Sequence, residues 1–301
     1  MEYALITPIR NEIENLDNLF ENIINQTIKP VIWVIVDGNS NDGSFEYANT
    51  LAKKYNHSHR WIYVITQKHY FKNKHPHLNF ALAVWEGYEY AKWIAKKKKI
   101  SLEYIGKVDA SVRIPPNYFE RLLLEFQKDD RIGIASGVQY LMKDGKFIKY
   151  VSVYSHELPD TRLYRVQCIE DIGGFPITCS PDVVIVLRAI NKGWKTKRVE
   201  DLPFYEHRVG GSKEGLEKGY IDKGRAMYYL GYNVDMLILN VGYFFITKRP
   251  KLGLLMLRGY LEAMKNNEKQ IPDGNIREYF KKRLIELIRT KYLLTTSYDK
   301  N

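Results

Sequence analysis

The sequence predicts an α/β chain on a doubly wound, mainly parallel sheet flanked by helices, with a helical C-terminal extension. Three observations predict this. Short apolar runs alternate with amphipathic helical stretches from the N-terminus to about Val138, which is the pattern of βαβ units. Two of the apolar runs stop at an aspartate, Asp37 and Asp109. From Glu214 onward the pattern turns mostly helical.

The elements follow in order. Tyr3–Thr7 is a short apolar strand. Glu12–Asn25 places Ile13, Leu16, Leu19, Phe20, Ile23 and Ile24 three or four apart, as a helix with one buried face requires. Val31–Val36 is β-branched and apolar, hence a strand, and Phe45–Lys54 is a helix with Ser44 as its expected N-cap. Trp61–Thr66 is a third strand. Asn79–Ala95 is a helix ending in Lys96–Lys99, charges that suit a helix C-terminus. Glu103–Val108 is a strand, Pro115 and Pro116 open a helix over Asn117–Gln127, and Ile132–Val138 is a further strand. Beyond residue 140, Lys143-Asp144-Gly145-Lys146 has hairpin-turn chemistry. Asp182–Asn191 is helix-like and stops at Gly193, and Thr196–Val199 is a last short strand.

Composition narrows the function classes. The 301 residues suffice for one large domain plus an appendage, and 45% apolar with 27% charged residues is ordinary for a globular chain. The formal charge of +11 suits an anionic ligand or an anionic membrane surface. No nucleic-acid reader motif accompanies it, so nucleic acid is not expected as a partner. Cys168 and Cys179 do not make a disulfide framework. Met1-Glu2-Tyr3 runs straight into a strand, without the pattern of a signal peptide, and no apolar run reaches membrane-spanning length. The default location is therefore cytoplasmic, with a peripheral place on the cytoplasmic membrane face left open.

The chemistry gathers at strand ends, where open α/β sheets bind ligands. Thr7-Pro8-Ile9-Arg10-Asn11-Glu12 is a strand followed by a polar turn. Asp37-Gly38-Asn39-Ser40-Asn41-Asp42-Gly43-Ser44 is a strand-end carboxylate followed by a Gly/Asn/Asp loop. Such a carboxylate can accept hydrogen bonds from a base or ribose, or can cap the next helix. Lys107-Val108-Asp109-Ala110-Ser111 repeats the strand-end aspartate. Topology is expected to deliver Asp37 and Asp109 to one rim.

In this order the segments resemble the inverting family 2 glycosyltransferases. The matches are Pro-x-x-Asn-Glu at Pro8, Asn11 and Glu12, the Asp-Asp-Gly-Ser-Thr-Asp-Gly-Thr loop at 37–44, and the Asp-x-Asp motif at 109–111. The acceptor half matches at Tyr164-Arg165, Gly173-Gly174-Phe175, Asp182, Arg188 and Gly193. The resemblance covers roughly residues 3–210. It implies a GT-A fold, with a nucleotide-sugar-binding and catalytic domain at 1–212 and a helical extension at 213–301.

It implies a donor that is a nucleoside diphosphate sugar, and an acceptor that is a saccharide or a lipid-linked saccharide. It assigns Pro8, Asn11, Glu12, Asp37, Asn39, Asn79, Asp109, Arg188 and Arg208 to donor binding, and Asp182 to the catalytic base. A divalent metal, Mn²⁺ or Mg²⁺, would be held by Asp109, Ser111 and His207. The sequence departs from the pattern twice: Ser111 stands where the second acid belongs, and Pro181 replaces the Glu before Asp182. Asn79 follows Leu78 where the family has Arg. A non-catalytic nucleotide-sugar-binding or scaffold protein of the same fold is the alternative. A sugar-1-phosphate nucleotidyltransferase is disfavoured, since Pro8-Ile9-Arg10-Asn11 is not a Gly-rich loop.

The basic loop with Lys68, His69, Lys72, Lys74, His75 and His77 could touch phosphate. In the last third, Val234–Thr247 is apolar and aromatic and is followed by Lys248-Arg249-Pro250-Lys251 and by Leu252–Met264. This segment suits a helical cap, a homo-oligomer contact or docking at a membrane interface.

Overall fold

The apolar runs become the inner strands of one nine-stranded sheet. The computed structural model describes residues 2–56, 60–71, 76–143, 145–150, 158–206 and 215–282. Contacts divide the chain into two compact units, Met1–Val209 and Gly210–Asn301.

In the first unit, β1 (Tyr3–Ile9), α1 (Ile13–Ile24), β2 (Ile32–Asp37), α2 (Ser44–Tyr55), β3 (Ile62–Thr66), α3 (Pro76–Lys98) and β4 (Tyr104–Lys107) alternate. Then come β5 (Val112–Arg113), α4 (Tyr118–Lys128), β6 (Ile132–Lys143), β7 (Lys146–Lys149), β8 (Arg162–Arg165), α5 (Val166–Asp171), α6 (Pro181–Asn191) and β9 (Lys195–Glu206). The strand order is β3-β2-β1-β4-β8-β6-β9-β5, with β7 paired to β6. The first four positions are parallel. β8 then enters antiparallel to both β4 and β6, while β6 and β9 run parallel.

Side-chain alternation builds the two layers. Tyr3, Leu5, Trp33 and Ile35 join Leu16, Phe20, Phe119 and Leu122 in one core. Ala4, Ile6, Val34 and Val36 join Ala83, Val84, Tyr88, Ile185 and Val186 in the other. Strands covered on both faces carry continuous apolar runs, which is why β1 and β2 show no polar alternation. Gly87 lets α3 lie directly on the sheet: a Cβ there would stand 2.6 Å from Ile6 Cγ2.

Several expectations change. Ser44 is the first residue of α2 rather than its N-cap, which is Gly43 at φ 88. α3 begins at Pro76, and the expected strand Thr196–Val199 is the middle of the twelve-residue β9. Lys143 pairs with Lys146 in the β6–β7 hairpin, and Asp144 lies outside the described residues. β5, β8 and α5 had no local signal.

The second unit contains α7 (Leu216–Leu230), α8 (Val234–Ile246), α9 (Pro250–Lys265) and a helical segment over 274–282. α7 and α9 cross at two glycines. A Cβ on Gly224 would meet Met256 O at 1.9 Å, and one on Gly259 would meet Ile221 O at 2.0 Å. Met227, Leu237, Phe244, Met256 and Tyr260 form its core.

Candidate active site

Because β1, β2 and β4 are parallel, the loops that follow them leave from one edge of the sheet. Asn11 and Glu12 lie in the loop after β1, Asp37 ends β2, and Asp109 stands two residues beyond β4. Pro8 is buried in β1 opposite Val36. β4 pairs with β1 only as far as Ile6, so the missing N–H of Pro8 costs the ladder nothing on that side.

The first two loops are laced together by short polar side chains. Asn11 N donates to Ser40 Oγ at 2.9 Å, and Asn41 N donates back to Asn11 Oδ1 at 2.9 Å. Glu12 N donates to Ser44 Oγ at 2.8 Å, and Ile13 N to Asp42 Oδ2 at 3.2 Å. Asp42 Oδ1 also accepts Ser44 N and Ser44 Oγ, at 3.0 and 2.5 Å. Asn11 (φ 53) and Asn39 (φ 60) hold the left-handed conformations that these turns need, which Asn tolerates better than most residues. Asp37 is buried, and its carboxylate accepts Ser40 N and Ser40 Oγ. Lone pairs remain on both oxygens, so the loop orients this carboxylate without exhausting it.

The loop after β3 is anchored from α3. Glu86 accepts Lys68 N and His69 N at 2.7 Å each. Asn79 spends its side chain on Phe71, accepting Phe71 N at 2.8 Å and donating to Phe71 O at 3.2 Å. Asn79 therefore shapes the 67–71 loop. Lys72, Lys74 and His75 lie outside the described residues.

The densest electrostatics lie on β4 and β8. Lys107 is 2% exposed, and its Nζ stands 3.4 Å from Asp182 Oδ1 and 3.7 Å from Asp109 Oδ1. Arg162, directly across the ladder, is equally buried. Its Nη1 donates to the Asp182 carbonyl at 2.8 Å and lies 3.9 Å from Asp182 Oδ1. Arg162 also donates to Pro159 O and Leu158 O and pairs with Asp160. Like charges opposite each other in a ladder repel, and here three carboxylates offset the pair. Burial disfavours the Lys107 ammonium, but Asp109, Asp182 and Asp160 hold its pKa above the ordinary lysine value, so it is charged.

Asp182 opens α6 behind Pro181, at the helix end that attracts anions. Phe80, Val84, Tyr164, Phe175, Pro176 and Pro181 wall a pocket into which Lys107 and Asp182 also project. Apolar walls strengthen the electrostatics inside them. Burial pushes the Asp109 carboxyl up to about 6, with Asp160, Asp182 and Glu12 acting in the same direction and Lys107 opposing. Glu206 is pushed up to about 7, first by burial, then by Asp109 and Asp160, against its 2.5 Å hydrogen bond from Gln139.

The structure thus gathers Glu12, Asp109 and Asp182 into one electrostatic neighbourhood and adds Lys107, Asp160, Arg162 and Glu206. The added residues had one sequence signal: Lys107 ends a strand that is otherwise buried and apolar. Arg188 stands six residues beyond Asp182, about 9 Å along α6, in its last turn. Ser111 follows Asp109 in a turn. His207 and Arg208 lie outside the described residues.

For a divalent ion, Asp109 offers a fitting first ligand. Its Oδ1 is buried and accepts no hydrogen bond. Mg²⁺ and Mn²⁺ often take one or two carboxylates and complete their shell with phosphate and water. Among the described residues no three His, Cys, Asp or Glu side chains are disposed to hold a metal by themselves.

A mixed α/β sheet with rim carboxylates after β2 and β4 and an acid at the start of α6 defines a GT-A type domain. The family model "Glycosyl transferase family 2" matches residues 4–180, more than half of the sequence, and the chain belongs to that family. No curated protein matches the sequence. Among solved structures, the mannosyltransferase PcManGT from Pyrobaculum calidifontis, in complex with GDP-Man and Mn²⁺, is 14% identical with a TM-score of 0.53, covering 100% of this chain and 88% of that one. S. aureus TarS 1–349 in complex with UDP-GlcNAc is 15% identical with a TM-score of 0.51, covering 76% of this chain and 66% of that one. At these identities the likeness is one of fold. The chain spans just under two thirds of the TarS fragment.

Proposed function

We infer that this chain transfers a sugar from a nucleoside diphosphate sugar to a hydroxyl of a saccharide or lipid-linked acceptor, with inversion. The observation that supports it most is the position of Asp182. It stands at the N-terminus of α6, on the wall of an apolar pocket, with Lys107 and Arg162 holding its side chain and backbone.

In this reading the laced loops carry Asn11, Glu12, Asp37 and Asn39 toward the nucleoside. Asp182 takes the proton of the acceptor hydroxyl as that oxygen attacks the anomeric carbon. The bond from the anomeric carbon to the diphosphate oxygen breaks on the opposite face, and its electron pair leaves with the nucleoside diphosphate. Asp109 would hold a divalent metal, joined by Ser111 and His207. When bound, the ion would neutralise charge on the diphosphate. Arg208 and Arg188 would add positive charge to the leaving side.

TarS was solved with UDP-GlcNAc and PcManGT with GDP-Man, so both nucleotides are candidates here. Binding without transfer is the second reading, favoured by Ser111 and Pro181 standing where the family has acids. The test is a screen of UDP-, GDP- and dTDP-sugars for binding, hydrolysis and transfer, with Mg²⁺, Mn²⁺ or EDTA. Binding with metal-stimulated turnover is expected. Absence of binding to every nucleotide sinks the reading, and binding without turnover across plausible acceptors favours the scaffold.

A further inference from the structure

α8 buries Met236, Leu237 and Phe244, the last two in the core of its own unit. Its other side is apolar, and among the described residues nothing covers it. Ile238, Tyr243 and Ile246 are 63%, 62% and 82% exposed, and Val234, Leu239 and Phe245 are each at least half exposed. No charge occurs between Asp235 and Lys248. A Cβ added to Gly242 would meet nothing within 4 Å, so the face is also open at its middle. An exposed apolar helix face this continuous marks a surface that is covered in use.

The border of the face identifies what covers it. Lys248 and Arg249 follow directly, at the turn into α9, and Lys251 in the first turn of α9 is ion-paired with Glu217. α9 adds exposed Leu254, Leu261 and Met264, with Lys265 after them and Arg258, paired with Glu262, among them. The chain from Gly210 onward has seventeen Lys and Arg against ten Asp and Glu, so most of the +11 lies in its smaller unit. α8 has thirteen residues, about 20 Å, too short for a bilayer core. Among the described residues no helix is long and apolar enough to cross a membrane. A helix of this kind lies along an interface, apolar side down and basic side chains among the headgroups.

We propose that α8, with the Lys248–Arg249 turn, docks this protein on an anionic phospholipid surface. These residues are not part of the candidate site, so docking does not depend on sugar transfer.

The test is co-sedimentation of the full chain with vesicles of phosphatidylcholine, alone or mixed with phosphatidylglycerol, at low and high salt. The wild type is expected to pellet with the mixed vesicles, and less so as salt rises. Phe245→Asp with Ile246→Asp should abolish pelleting while leaving the melting temperature unchanged. Ile238→Asp replaces that pair if the double variant does not fold. Lys248→Gln and Arg249→Gln should each weaken binding roughly fivefold. Absence of wild-type binding to the mixed vesicles overturns the proposal. So does binding that ignores the Asp substitutions, which would mean charge adsorption elsewhere. A wild-type dimer by light scattering that the same substitutions turn into monomer would assign the face to a second copy.

Discussion

Lys107 and Arg162 face each other across the β4–β8 ladder, and both reach Asp182. Two buried cations side by side are unfavourable alone. Together they form a socket for the first turn of α6, because Arg162 takes the Asp182 carbonyl while Lys107 takes its carboxylate. The residue proposed as base is therefore positioned by two strands that adjoin only in the folded sheet.

Lys107→Met should destabilise the fold by about 2 kcal/mol. That is below the usual cost of breaking a buried pair, because Asp109 and Asp182 keep some access to water. Urea unfolding measures it. A double-mutant cycle with Asp182→Asn should return a coupling of about 1 kcal/mol or more. Strict additivity would mean that the two side chains do not act on each other.

Asp182→Asn should preserve nucleotide affinity and reduce transfer by roughly 10²–10⁴-fold, the contribution typical of a general base. Single-turnover transfer alongside equilibrium binding separates the two effects. Unchanged transfer would remove Asp182 from the role.

Asp42→Ala removes the acceptor for Ser44 N, Ser44 Oγ and Ile13 N. The expected cost is about 1 kcal/mol, as for a lost helix cap. Nucleotide affinity should fall as well, because the loops after β1 and β2 lose their shared support. Calorimetric titration of the nucleotide would reveal this, and full affinity in a destabilised variant would confine the lacing to stability.

The contribution of Asp109 and Glu206 to stability should decline as pH rises from about 4 to about 7. The folded state holds Asp109 at about 6 and Glu206 at about 7, both above their ordinary values of 3.8 and 4.5. Between the unfolded and folded values the native state binds more protons, so the contribution of these two groups is greatest below that window and is lost as each ionises. Thermal unfolding across the range checks the sign. Asp109→Asn with Glu206→Gln should flatten the curve.

The core was legible where the signal is local. Leu16, Leu19, Phe20 and Ile23 show the helical period, and all four are buried in α1. Val31–Val36 showed an apolar run with no alternation, and β2 is buried on both faces. The Ser44 expectation failed because Asp42, two residues earlier, engages its hydroxyl and amide. β8 carried no strand signal because it is only Arg162-Leu163-Tyr164-Arg165, two apolar residues between arginines, and Arg162 makes sense only beside Asp160 and Asp182.

The sequence by itself determined the alternation of strands and helices, the family, and the aspartates that end the second strand and follow the fourth. Those are written in short-range periodicity and in loops of a few residues. Only the tertiary structure decided that β8 enters antiparallel beside β4, and that Lys107, Arg162 and Asp182 therefore meet. These residues are 55 and 20 positions apart along the chain. Periodicity does not record which charge will neutralise another at that separation. Burial does, because a low-dielectric interior tolerates Lys107 and Arg162 only where carboxylates already stand.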